Sequence, residues 1–229
     1  MSYLYEYPRP AVTADCVIFG FDGSELKILL IERGIEPFKN CWALPGGFIN
    51  MDEDAETCAR RKLKQETCLE NIFMEQLFTF TAVDRDPRYR VISIAYYALV
   101  KLDGYEAKAG MDTMRVQWFP LTEVPPLAFD HREILAVAIE RLKGKIRYQP
   151  VGFELLPDRF TLPDLHRLYE TVLQTTLDRR NFRKKILSTG LLVDHHELKG
   201  NMPHKAPKIY SFDKRKYEEL CNKGFYFEV

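Results

Sequence analysis

The chain has 229 residues, 46% of them hydrophobic, with 33 basic and 33 acidic side chains and a formal net charge of zero. That balance excludes a disordered chain, and 12 Gly and 13 Pro scattered without a period exclude a collagenous or low-complexity one. The longest largely apolar run, Val91 to Val100, is about half of what a bilayer-spanning helix requires. Met1-Ser2-Tyr3-Leu4-Tyr5-Glu6 has neither the basic nor the apolar part of a secretion signal, and five cysteines form no CxxC pair. A soluble cytoplasmic protein, free of the membrane, is expected.

The first 145 or so residues read as strands interrupted by two helices. Ala14 to Phe21 and Leu26 to Ile31 are apolar and β-branched, and Phe21-Asp22-Gly23-Ser24 between them is hairpin chemistry. A helix follows Glu53, with Ala55, Cys58, Ala59 and Leu63 on one face. Gln76 to Val83 and Arg90 to Val100 are predicted strands joined by the polar turn Asp84-Arg85-Asp86-Pro87-Arg88, and Val116 to Phe119 is a short one. From Asp130 to Lys143, Ile134, Leu135, Val137, Ala138 and Leu142 repeat at helical spacing. Gly144, Pro150, Gly152 and Pro157 break the periodicity, so a linker is placed at Gly144 to Pro157 and the domains at 1–148 and 149–229. The second domain carries 14 basic and 11 acidic residues, a net of +3 over 151–229, against 19 and 22 in 1–150, a net of −3. That asymmetry has the sign of a sensor joined to a module that binds a polyanion.

One motif carries chemistry in the first domain. Trp42-Ala43-Leu44-Pro45-Gly46-Gly47 leads through Glu53 to Arg61-Lys62-Leu63-Lys64-Gln65-Glu66-Thr67-Cys68-Leu69. This resembles the Nudix box, with Gly47, Glu53, Arg61, Leu63, Glu66 and Leu69 at the family's spacing. Positions 62, 65 and 66 share one helix face. The resemblance implies three glutamates there, holding divalent cations against a diphosphate substrate; this chain has Lys62, Gln65 and Glu66, and Cys68 where the family has glycine. Mg²⁺ wants hard, anionic oxygen ligands. A unit positive charge about 5 Å from a divalent ion, at an effective dielectric of ~20, repels it by on the order of 6 kcal/mol. No catalytic residue, metal site or cofactor is therefore expected; only in an active hydrolase would Glu66 and Glu53 hold metal. A pocket for a sugar or nucleotide is expected at Arg33, Trp42, Phe48, Asp84 and Arg85, which flank the box in the resembled fold.

The second domain has its own pattern. Thr161 and Asp164 have capping-box spacing, and Leu162, Leu165, Leu168, Tyr169, Val172 and Leu173 follow at three- and four-residue intervals. Asp178 caps a second helix running from Arg179 to about Ser188, with Gly190 as its stop. Phe182 and Ile186 face a core, while Arg180, Asn181, Arg183 and Lys184 spread over the opposite side, with Arg179 and Lys185 at its margins. Leu191-Leu192-Val193 and Lys208 to Phe212 read as strands, the loop between them carrying Lys199, His204 and Lys205, and Asp213 to Asn222 closes as a helix. A helix, a tight turn, a basic helix and a basic hairpin make a winged helix-turn-helix, whose second helix reads the major groove and whose wing cations, including Lys208, meet phosphates. His195 and His196 have no further ligand at metal spacing and are not read as a metal site.

Taken together, the chain resembles the Nudix-related transcriptional regulators of the NrtR type. The resemblance implies a Nudix α/β/α sandwich with a mixed sheet, then a winged helix-turn-helix. It also implies a homodimer on a palindromic double-stranded DNA operator, and an effector that is ADP-ribose or a pentose such as L-arabinose. The favoured function is thus a ligand-responsive DNA-binding regulator of NAD metabolism or sugar catabolism. The competing readings are an active Mg²⁺-dependent Nudix hydrolase of a nucleoside diphosphate derivative and a scaffold that binds protein.

Overall fold

The computed structural model describes residues 6–70, 72–102, 113–199 and 206–228. Two compact units form: Met1–Phe19, Lys27–Leu99 and Tyr105–Ile139 make one, and Gly20–Leu26, Val100–Gly104 and Glu140–Val229 the other. No helix among the described residues is long and apolar enough to cross a membrane.

The first unit is built on a seven-stranded sheet. Its strands are β1 (Ala11–Phe21), β2 (Leu26–Arg33), β3 (Trp42–Ala43), β4 (Gly46–Phe48), β5 (Phe73–Phe80), β6 (Val91–Lys101) and β7 (Thr113–Pro120). They run in the order β3-β2-β1-β6-β5, with β4 on β1 and β7 on β2. Residues 14–21 of β1 are buried without alternation, as in a strand covered on both faces. Helix α1 (Ala55–Thr67) starts at Asp54, whose side chain accepts the Thr57 N–H, and it buries Cys58, Ala59 and Leu63. At its end Cys68 stands at φ +59°. That left-handed cap favours glycine, which accounts for the family's preference at the position Cys68 occupies.

Three details differ from the sequence expectation. Strand β5 lies three residues earlier than Gln76 to Val83, because its register pairs Phe73 with Leu99 and Phe80 with Ser93; Val83 is left 75% exposed in the turn. Strands β3 and β4, of two and three residues, are too short for any periodicity to announce. The proposed linker is ordered instead. Helix α2 (His131–Tyr148) runs straight through Gly144, and Pro150–Leu155 forms a 3₁₀ turn that buries Val151, Phe153 and Leu155. A mid-helix glycine costs roughly 1 kcal/mol, which burial of Leu142 and Ile146 offsets.

The second unit contains β8 (Phe160–Thr161), α3 (Leu162–Leu173), α4 (Arg179–Ser188), β9 (Leu192–Leu198), β10 (Lys208–Phe212) and α5 (Lys214–Cys221). Its sheet runs β8-β10-β9. The Thr161–Asp164 capping box is formed in both directions, and Asp178 caps α4 by accepting the Asn181 N–H at 2.8 Å. Phe182 packs edge-on against Tyr169, their centroids 5.2 Å apart, and Ile186 and Leu191 complete the core beneath. The elements fall in the expected order: a strand-rich unit with two helices, then a helix-turn-helix with a three-stranded sheet.

Candidate functional site

A cleft of about 150 Å³ opens where β1, β4, α1, the 84–90 turn and the start of α2 converge. Gly46 is required for this convergence, since a Cβ there would lie 2.5 Å from the Ala14 carbonyl oxygen on β1. Four cations line the cleft, Arg33, Lys62, Arg85 and Arg88, together with Asp15, Glu66 and Asp86. Arg85 is buried and grips Asp130 with Nε and Nη2 at 2.8 and 2.6 Å, with Asp15 at 3.8 Å. Arg88 forks onto Asp86 at 2.9 and 2.7 Å. Burial pushes the Asp86 carboxyl up, but the Arg88 hydrogen bonds outweigh it and the net shift is downward.

Aromatic rings flank these charges. The Arg33 guanidinium lies 4.8 Å from the Phe129 ring centre, and Arg88 lies 5.2 Å from that of Phe48. Burial, and then the neighbouring Arg88, lower the pKa of Arg33. His131 is buried, and its Nδ1 accepts the Leu44 N–H at 2.9 Å. Burial lowers its pKa, so the ring is neutral and carries its hydrogen on Nε2.

The altered box residues have specific places. The Lys62 stem lies over Gly47, its Cε 2.5 Å from where a Cβ on that glycine would be, and its Nζ is 3.9 Å from Glu66 Oε1. The other Glu66 oxygen accepts the Gly46 N–H at 3.0 Å. Gln65 is exposed and accepts from Arg61. Glu53 stands outside the cleft lining, clamped by Arg61 Nε at 2.9 Å and by the Asn50 N–H. This donor set does not fit a divalent cation: one carboxylate faces the cleft from α1, already bonded to backbone and with an ammonium beside it. Among the described residues no three His, Cys, Asp or Glu side chains converge as metal ligands.

Arg61 holds the Glu53 pKa down to about 2 from an ordinary 4.5. A depressed acid stabilises the fold above its unfolded value and loses that contribution as pH falls through its folded one. The melting-temperature gap between wild type and Glu53→Gln is therefore expected to be full at pH 6 and to close between pH 4.5 and 2. A gap constant across that range, followed by scanning calorimetry, would show that the clamp does not act through the ionised carboxylate.

Of the pocket residues expected from sequence, Arg33, Phe48 and Arg85 line the cleft. Trp42 does not; it packs edge-on against Phe119 at 4.8 Å, with Arg115 over its ring. Asp84 is exposed in the turn and also stands apart from the lining. Asp15, Arg88, Phe129 and His131 also line the cleft; Arg88 belongs to the polar 84–88 turn, and no local sequence signal marks the other three.

In the second unit Arg179, Arg180, Asn181, Arg183, Lys184 and Lys185 are all exposed on α4, opposite buried Phe182 and Ile186. Lys185 reaches Glu228 at 3.3 Å. Lys199 pairs with Asp164 at 3.1 Å and Lys208 with Asp194 at 2.7 Å. Such exposed pairs contribute little, so a phosphate can compete for both cations. His204 and Lys205 lie outside the described residues. His195 Nε2 is 2.9 Å from Ser211 Oγ and ties β9 to β10. The corner between α3 and α4 is tied by side chains: Glu170 Oε1 accepts the Leu177 N–H at 3.0 Å, and His166 sets Nε2 on the Leu177 carbonyl and Nδ1 on the second Glu170 oxygen, at 2.9 and 3.2 Å.

The NUDIX domain family model matches residues 9–138, and that of the NrtR DNA-binding winged helix domain matches residues 152–212. The ADPR responsive transcriptional repressor NtrR of Acinetobacter baylyi is 33% identical over 219 residues, covering 93% of this chain and 86% of its own. The ADP-ribose pyrophosphatase of Methanocaldococcus jannaschii is 42% identical over 129 residues, 56% of this chain and 73% of its own. Among solved structures, Shewanella oneidensis NrtR complexed with a 27mer DNA superposes with a TM-score of 0.78 at 32% identity, covering 88% of this chain and 93% of that one. The NUDIX domain of the same protein, complexed with ADP ribose, does so with a TM-score of 0.55 at 37% identity, over 59% and 90%. Two domains matched in this order, and a repressor related over nearly the whole length, show that the chain belongs to the NrtR family of Nudix-related transcriptional regulators.

Proposed function

We propose that this protein is an ADP-ribose-responsive repressor that binds double-stranded operator DNA and does not hydrolyse its effector. The observation that carries the reading is the placement of Lys62 Nζ 3.9 Å from Glu66, on the helix face where the resembled hydrolases assemble metal-binding carboxylates. Arg33 and Lys62 line the cleft with no carboxylate at hydrogen-bond distance among the described residues, which favours an anionic effector over an uncharged pentose. The Acinetobacter relative and the Shewanella complex support the same choice. A cleft of about 150 Å³ is smaller than the roughly 300–1,000 Å³ typical of ligand pockets, so it encloses part of such a ligand.

DNA contact is assigned to Arg179, Arg180, Asn181, Arg183, Lys184 and Lys185 on α4, with Lys199 and Lys208 on the wing and with His204 and Lys205, which lie outside the described residues, in a homodimer. We place the division between the sensing and DNA-binding parts at 148/149, the end of α2, nine residues after the two compact units part between Ile139 and Glu140. Effector binding shifts the operator affinity by its differential affinity for the two states. In a gel-shift titration, ADP-ribose is expected to release the protein from operator DNA, and the same ADP-ribose is recovered intact after incubation with Mg²⁺. The pyrophosphatase relative motivates the second arm: turnover at the 1–10³ s⁻¹ usual for enzymes would establish a hydrolase instead.

A further inference from the structure

The geometry points to Lys62 as a built-in counter-ion for the effector's diphosphate, standing in for the divalent cation and making effector binding independent of metal. This inference rests on the ADP-ribose reading and adds to it the group that receives the phosphates.

The argument begins with the cleft's charges. Arg85 is committed to Asp130 in a buried bidentate pair, with Asp15 behind it, and Arg88 is committed to Asp86. Neutral His131 contributes no charge. Arg33 and Lys62 differ from the other cations. The Arg33 Nε donates to the Pro37 carbonyl at 2.9 Å, and its guanidinium stacks on Phe129. The Lys62 ammonium meets Glu66 only at 3.9 Å, beyond hydrogen-bond reach. These are the two cleft cations for which no carboxylate lies at hydrogen-bond distance among the described residues. An ammonium is a compact charge on a flexible stem, with three donors free to turn toward phosphate oxygens.

Position gives the second line of support. Lys62 lies one turn before Glu66 on α1, and its stem packs over Gly47, so its terminal nitrogen stays at the cleft and its side chain is 19% exposed. A diphosphate brought to this face meets a resident positive charge at once. A metal ion would have to be carried in by the ligand against that charge.

The test uses the full chain and isothermal titration with ADP-ribose, inorganic pyrophosphate and adenosine, each in EDTA and in Mg²⁺. Wild-type affinity for the two phosphate-bearing probes is expected not to rise in Mg²⁺, which itself complexes diphosphates. Lys62→Met keeps the apolar stem and removes the charge. It is expected to weaken ADP-ribose and pyrophosphate about tenfold to a hundredfold while leaving adenosine unchanged, and Lys62→Arg to recover most of the loss. Melting temperatures within a degree or two of wild type show that the variants are folded; were Lys62→Met to unfold, the Lys62→Arg variant and the two buffers still decide. Equal ADP-ribose affinity in Lys62→Met, or wild-type binding tightened tenfold by Mg²⁺, would overturn the inference with the effector intact. Lys62-dependent binding of pyrophosphate without any binding of ADP-ribose would overturn the effector reading and leave the counter-ion in place. Binding of neither would end both.

Discussion

Replacing Arg180 and Arg183 together with alanine is expected to weaken operator binding by between about thirtyfold and twenty-thousandfold without lowering the melting temperature. A good bidentate contact to a base edge contributes ~1–3 kcal/mol, so two together give ~2–6 kcal/mol. Both side chains are exposed on α4, on the face opposite Phe182 and Ile186, so the core beneath is untouched. The gel shift should use operator and scrambled duplex side by side. Loss confined to the operator identifies base readout; equal loss on both identifies phosphate contact, where salt dependence falls by about one unit of slope per cation removed. Full affinity in the double variant would exclude α4 as the recognition helix.

The second large effect is one of stability. Arg85→Ala is expected to destabilise the first unit by about 3–5 kcal/mol, because removing one partner leaves an uncompensated buried charge. The Arg85 side chain is 3% exposed, and its partners Asp130 and Asp15 are 10% and 9% exposed. At roughly 2–4 °C per kcal/mol for a chain of this size, the melting temperature should fall by on the order of 10 °C. The paired variant Arg85→Ala with Asp130→Asn should recover part of that loss. A melting temperature unmoved in Arg85→Ala would mean that Asp130 and Asp15 are solvated despite their burial, and that the clamp does not hold the 84–90 turn.

How much of this was legible beforehand depended on the reach of the signal. The winged helix was readable because its determinants are local: Thr161 and Asp164 decide one helix start, Asp178 decides the next, and Gly190 at φ +65° allows the exit. Helix α1 was readable for the same reason. The cleft was not. Asp15, Arg88 and His131 come from β1, a turn and the start of α2, and the sequence carries no trace of a meeting across so many residues. Trp42 looked like a ligand platform because it stands next to the glycines, yet strand β3 pairs it with Glu32 and sends its ring toward Phe119. Gly144, Pro150 and Gly152 read as linker punctuation, and packing overruled them. The methyl groups of Ile146 and Leu168 close around Gly152, with contacts of 3.2 and 3.4 Å to the place of an absent Cβ.

The Glu170–His166–Leu177 tie has a consequence of its own. On the proposed DNA contact through α4, a helix that enters a groove must be presented at a fixed pitch, and an imidazole and a carboxylate on the neighbouring helix fasten that corner. Substitutions at positions 166 and 170, which lie off α4, are then expected to weaken operator binding as well. Drift at either would detune the grip on every sequence without changing which sequence is preferred.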